Sequence, residues 1–127
     1  MTPVLYILMR TDLDSMNPGK AMAQASHASN AFISYWGHDA ETKAWQSETN
    51  QGFGTVLVLG VTEDQMHTAV SVANACGFTS GVVHDPTYPI RDGDATHFIP
   101  VDTCAYVFGD KDNMMLKSIL GNFELHP

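Results

Sequence analysis

Apolar residues fall along the chain in two rhythms, and the alternation between them lays out its elements. Val4 to Met9 is an unbroken apolar run, the pattern of a strand covered on both faces. From Pro18 or Gly19 to about Trp36 the rhythm becomes helical. At 100° per residue Lys20, Gln24, His27 and Ala31 share one side of this helix. Met22, Ala25, Ser29, Phe32, Ile33 and Trp36 share the other, which is the side expected to be buried. Gly37 stops or kinks the helix, and His38 to Asn50 fits a continuation or a second short helix whose Trp45 packs back on the first.

Thr55 to Gly60 repeats the buried-strand pattern. Thr62 and Gln65 then stand at the spacing of a capping box, in which side chain and backbone satisfy each other's first-turn amides. Met66, Ala69, Val70 and Ala73 recur at helical spacing, and the two alanines predict close packing against a sheet. Gly77 occupies the position of a left-handed helix cap, and Thr79 to His84 gives a third strand. Asp85 to Asp94 contains Pro86, Pro89 and Gly93, which excludes a helix, and it reads as a shaped loop. Asp102 to Gly109 is a fourth strand. Asp110 or Asp112 caps a final helix ending at Gly121, and Phe123 to Leu125 suits an edge segment. The expected fold is a single α/β domain over residues 1–127, in the order β-α-β-α-β-β-α. Its four-stranded mixed sheet is mainly parallel, carries helices on both faces and has an antiparallel last long strand.

Composition narrows the function. At 127 residues and 44% apolar the chain builds one core. No apolar run approaches the roughly 20 residues of a membrane span, so no membrane partner is expected. The first residues carry no basic region ahead of the apolar run, which predicts no signal peptide and a cytoplasmic chain with Cys76 and Cys104 as free thiols. Six Lys and Arg against fourteen Asp and Glu give a net charge of −8, unsuited to gripping nucleic acid along a groove. A polyanion would have to be met at a point, by a local patch drawn from Arg10, Lys20, Lys43, Arg91, Lys111 and Lys117.

Ligands of open α/β sheets gather beyond the carboxyl ends of parallel strands. Three segments meet there: Arg10 to Lys20, Gly60 to Glu63, and His84 to Asp94. The expected site is a cleft with Lys20, Gln24 and His27 on one wall, Asp85 on the other, and Arg10 and Asp12 at its floor. Lys20 lies in the first helical turn, where free amides, helix dipole and ammonium together suit an anion. Lys20 and Asp85 as an ion pair would serve structure alone. As a working pair, Asp85 would hold a water and Lys20 would offset charge on a reacting oxygen. Ser26 adjoins His27 in sequence and points about 100° away, so the two form no nucleophile pair. His84, Asp85, Asp92, Asp94 and His97 are crowded without ligand spacing, so a solvated acidic loop is expected and no metal. No glycine-rich nucleotide loop or serine-hydrolase elbow occurs.

Arg10-Thr11-Asp12-Leu13, Met16, Gly19-Lys20 and Ala23-Gln24-Ala25-Ser26-His27-Ala28 resemble the opening motif of the archaeal/eukaryotic-type peptidyl-tRNA hydrolases. Asp85 and the closing Gly121 to Leu125 extend the resemblance over nearly the whole chain. It implies a compact α/β fold, often a homodimer, that hydrolyses the ester joining a peptidyl group to the terminal ribose of tRNA without metal or organic cofactor. Carried over by position, Lys20 is the essential lysine and Asp85 the carboxylate. Gln24, Ser26 and His27 line the site, Arg10 and Asp12 lie beneath it, and Thr87 stands in for a hydroxyl. Two positions depart from the family pattern. Pro18 stands where many members have a second lysine, and Asp85-Pro86-Thr87-Tyr88-Pro89 replaces Asp-Ala-Gly-x-Thr, so Pro89 removes a hydroxyl and an N–H.

Three functions follow: a hydrolase of peptidyl-tRNA or a similar acyl ester or amide, a silent module binding a protein or small ligand through the cleft, and an unrelated small-molecule enzyme. The hydrolase predicts Lys20 and Asp85 converging on an open cleft with a basic rim. The silent module predicts Tyr88 or Pro89 filling it, or Lys20 held in a closed ion pair.

Overall fold

The computed structural model describes residues 1–127. Its elements are β1 (Pro3–Arg10), α1 (Pro18–Trp36), α2 (Ala40–Gln46), β2 (Val56–Val61), α3 (Glu63–Ala75), β3 (Thr79–Asp92), β4 (Ala95–Asp110) and α4 (Met114–Leu120). The strands form one sheet in the order β2-β1-β4-β3. β1 and β2 are parallel, while β4 is antiparallel to both β1 and β3. Three strands thus share a direction, yet most pairing is antiparallel, because β4 inserts between β1 and β3.

Alternation along β1 divides the core in two. Leu5, Ile7 and Met9 face α1 and α2, packing with Ala28, Phe32, Trp45, Tyr106 and Phe108. Leu8 faces α3 and α4, where all four periodic residues of α3 are buried with Leu116 and Leu120. Phe32 meets the Trp45 ring edge-on at 5.6 Å, an arrangement contributing about 0.5–1.5 kcal/mol beyond area burial. The capping box at Thr62 and Gln65 is formed, and Gly77 takes φ 84° just past α3, where an L side chain would be strained. The C-terminal segment lies on the free edge of β2, with Gly60 N–H donating to Glu124 and His126 N–H to Val58. No helix is long and apolar enough to cross a membrane.

Three local expectations are corrected. The α1 stripe is rotated: Gln24, Ala28 and Phe32 are buried, and Met22 is 69% exposed. Gln24 can go inside because both ends of its amide find partners. The segment after His84 is no loop but the continuation of β3, which pairs with β4 as far as Asp92↔Ala95. Its prolines are tolerated because β3 is an edge strand and the register shifts between Val83 and His84 and again between Asp85 and Tyr88. The last helix is capped by Asn113, whose Oδ1 accepts from the N–H groups of Met115 and Leu116, not by either aspartate. The β3–β4 hairpin outruns β1, whose last partner on β4 is Cys104, and so projects as an arm beyond the carboxyl end of β1.

Candidate functional site

α1 begins at Pro18 because Asn17 caps it, accepting from Lys20 N–H at 2.9 Å, and this turns Lys20 toward β3. The Lys20 ammonium donates to the Pro89 carbonyl at 2.6 Å and lies 4.9 Å from the centroid of the Tyr88 ring. No ion pair joins Lys20 to Asp85. The Asp85 carboxylate instead meets α1 one turn further on. Gln24 Nε2 donates to Asp85 Oδ2 at 2.7 Å, and Thr87 N–H donates to Oδ1 at 2.9 Å. The Thr87 hydroxyl lies 3.5 Å from the same oxygen.

Behind Gln24 stands a residue that sequence reasoning missed. Thr103, fully buried on β4, donates through Oγ1 to Gln24 Oε1 at 2.7 Å. The ionised Asp85 carboxylate only accepts and so takes the amide NH₂, and the Thr103 hydroxyl donates to the carbonyl oxygen left facing it. The only sequence signal was a polar residue opening an otherwise apolar strand. Burial alone would raise the Asp85 pKa. The Thr87 N–H, the Gln24 amide and the charge of His27 outweigh it and leave the carboxyl below its usual value. Asp85 is therefore an ionised acceptor with a fixed orientation, partly exposed beside His27 and Thr87 on the surface.

Arg10 and Asp12 do not lie at the floor of this site. Arg10 faces α3, donating to Asp12 at 2.9 Å, to Glu63 at 3.0 Å and to the Asp102 carbonyl at 3.2 Å. Asp12 also accepts from the first amide of α3, and these bonds outweigh its burial to hold its carboxyl below the usual value. Strand alternation explains the displacement: Met9 takes the α1 face, so Arg10 takes the other. Ser26 is exposed on the outer side of α1. The crowded His and Asp residues separate as well. His84 turns to Asp102 at 2.8 Å, with His67 3.3 Å from its other oxygen, while His97 lies 3.6 Å from Asp92. No group of three or more such side chains is arranged to hold a metal ion.

The space expected to be open beside Lys20 is filled by Tyr88. Its ring is fully buried, and its hydroxyl lies 3.1 Å from Ser15 Oγ and 3.9 Å from Met16 Sδ. A hollow of about 480 Å³ lies instead on the far side of α1, lined chiefly by Met9, Leu13, Met16, Met22 and Val58, and it includes neither Lys20 nor Asp85.

A family model described as "Peptidyl-tRNA hydrolase PTH2" matches residues 3–126. No curated protein matches the chain. A solved structure of a protein of unknown function, Atu0240, from Agrobacterium tumefaciens strain C58 is similar with a TM-score of 0.63. It is 9% identical, over 100% of this chain and 99% of that one, a likeness of fold.

Proposed function

The chain belongs to the peptidyl-tRNA hydrolase PTH2 family, and from that membership we propose that it cleaves the ester between a peptidyl group and tRNA by attack of water. The observation that supports this reading at the level of atoms is the Thr103–Gln24–Asp85 relay. It presents an ionised carboxylate, oriented from behind, at the surface beside His27 and Thr87. A carboxylate with a lowered pKa is a weak base. Its part is to hold and orient the attacking water, and the exposed imidazole of His27, in its uncharged form, takes up the proton and returns it to the ribose oxygen that leaves. Lys20 has three ammonium hydrogens and commits one to Pro89, leaving two to offset charge developing on the carbonyl oxygen. Gln24 and Thr87 act on Asp85. Ser26, Arg10 and Asp12 have no part in the chemistry in this proposal. The work is cytoplasmic, and a homodimer is in keeping with the family resemblance.

One observation favours the second reading, a closed binding module. Tyr88 fills the space beside Lys20, and Pro89 holds its ammonium. Turnover of peptidyl-tRNA by the wild type and by Lys20→Ala, Asp85→Ala and Tyr88→Ala separates the two. The hydrolase predicts wild-type turnover that falls at least 100-fold in the first two variants, a loss of about 2.7 kcal/mol or more of transition-state stabilisation. Wild-type rates at background would leave the closed module. Activity released only by Tyr88→Ala would make Tyr88 the closure.

A further inference from the structure

The carboxyl end of β1, where the proposed site lies, is strongly acidic. Asp12 and Asp14 follow β1, Glu63 and Asp64 open α3, and Asp85, Asp92 and Asp94 lie on β3 and the tip of the arm. Asp102 adds another from β4. Eight of the fourteen carboxylates in the chain are thus at this end. Only three of its six cations join them: Arg10, Lys20 and Arg91. Arg10 is bound by Asp12 and Glu63, and Lys20 by the Pro89 carbonyl. Arg91 stands on the arm beside Asp92. The other three are elsewhere. Lys111 adjoins the start of β1, its N–H donating to the Thr2 carbonyl, and Lys117 lies beside Asp110. Lys43 is on α2, whose Trp45 bonds to Thr55 beside Leu5, also near the start of β1.

Resting on the hydrolase reading, we propose that this site recognises the acyl group and terminal nucleoside alone and gains nothing from the body of the tRNA. A 3′-O-(N-acylaminoacyl) nucleoside is then as good a substrate as full-length peptidyl-tRNA. The physical ground is the placement of charge. A polyanion carried to Lys20 brings its nearest phosphates within a Debye length, about 10 Å at 0.1 M salt, of a surface where eight carboxylates outnumber three cations. A site that gripped six phosphates would lose on the order of 10³-fold in affinity between about 50 and 200 mM salt. Here the dependence runs flat or the other way, because salt screens repulsion.

The test compares kcat/KM on N-acetyl-aminoacyl-tRNA with that on N-acetyl-aminoacyl-adenosine across that salt range. The expected result is agreement within tenfold, with the tRNA rate constant or rising with salt. A preference for full-length substrate above tenfold overturns the proposal. If neither ester is cleaved above background, the hydrolase reading fails. Binding of the two corresponding 3′-amides then decides this one: affinities within tenfold sustain it, and tighter tRNA binding, or no binding of either, overturns it. Asp14→Lys with Asp94→Lys, both outside the proposed machinery, should raise the rate or affinity for the tRNA form several-fold at low salt and leave the nucleoside form unchanged. Equal responses of the two forms, or no response, would remove the electrostatic cause.

Discussion

Replacing Thr103 by valine tests whether the carboxylate at the site is oriented from inside the core. The substitution keeps the shape of a fully buried side chain and deletes one hydroxyl, 2.7 Å from Gln24 Oε1. If Gln24 holds still, its carbonyl oxygen is left buried without a donor, at a cost of about 1–3 kcal/mol. If the side chain instead swings out to bring that oxygen to water, its NH₂ leaves Asp85 Oδ2, which in the wild type receives an N–H at 2.7 Å. The carboxylate then loses a hydrogen bond to a charged group, worth about 1.5–3 kcal/mol. That loss raises the Asp85 pKa back toward the ordinary carboxylate range. Thermal unfolding should therefore show a midpoint lowered by several degrees. A carboxyl NMR titration should show Asp85 protonating at higher pH, and the acid limb of any hydrolytic rate should move with it. The NMR measurement does not depend on catalysis. A lower midpoint with an unmoved Asp85 titration would mean that Gln24 keeps its orientation without Thr103, and the relay would be refuted.

Other outcomes follow from the same contacts. Asp12, Asp85 and Asp110 all have carboxyls held below their usual value. Their contribution to stability is present above the ordinary carboxylate range and is lost as pH falls through their folded values. Unfolding midpoints measured from about pH 6 to about pH 2 should decline over that lower span, and Asp85→Asn should remove part of the decline. Burial pushes the Cys104 thiol up to about 12, while Cys76 is exposed, so alkylation near neutral pH should modify Cys76 alone until the protein unfolds. Modification of both at one rate would contradict the packing of β4 on α1. Tyr88→Phe removes a hydroxyl whose partners are Ser15 and Met16, and should lower stability by about 1 kcal/mol in denaturant titration.

What the chain pattern disclosed and what it hid have separate physical causes. The core elements were legible because burial on a sheet leaves a periodic trace. Val4–Met9 and the Met66, Ala69, Val70, Ala73 stripe fall within the strand and helix observed, and Thr55–Gly60 overlaps β2 from Val56 onward. The candidate residues Lys20, Gln24, His27, Asp85 and Thr87 could be named from the sequence, yet the mutual geometry in which the fold places them could not. Gln24 was assigned to solvent because a lone glutamine is costly to bury. The cost is met by Thr103 and Asp85, residues 79 and 61 positions away, and periodicity contains no information about such distant partners. The arm was hidden for the opposite reason. Prolines at 86 and 89 argue against a central strand, but on an edge strand with shifted register they cost little, and edge position is set by the whole sheet order. That misjudgement propagates to the chemistry. Once the segment is a strand and not a loop, the register shift between Asp85 and Tyr88 resets its alternation, turns Tyr88 inward beneath Lys20 and sets the Pro89 carbonyl against the ammonium. The pairing of β3 with β4 therefore fixes how much positive charge the site can offer a substrate, and a change that loosened the register at Tyr88 would alter the reach of Lys20 without touching the lysine.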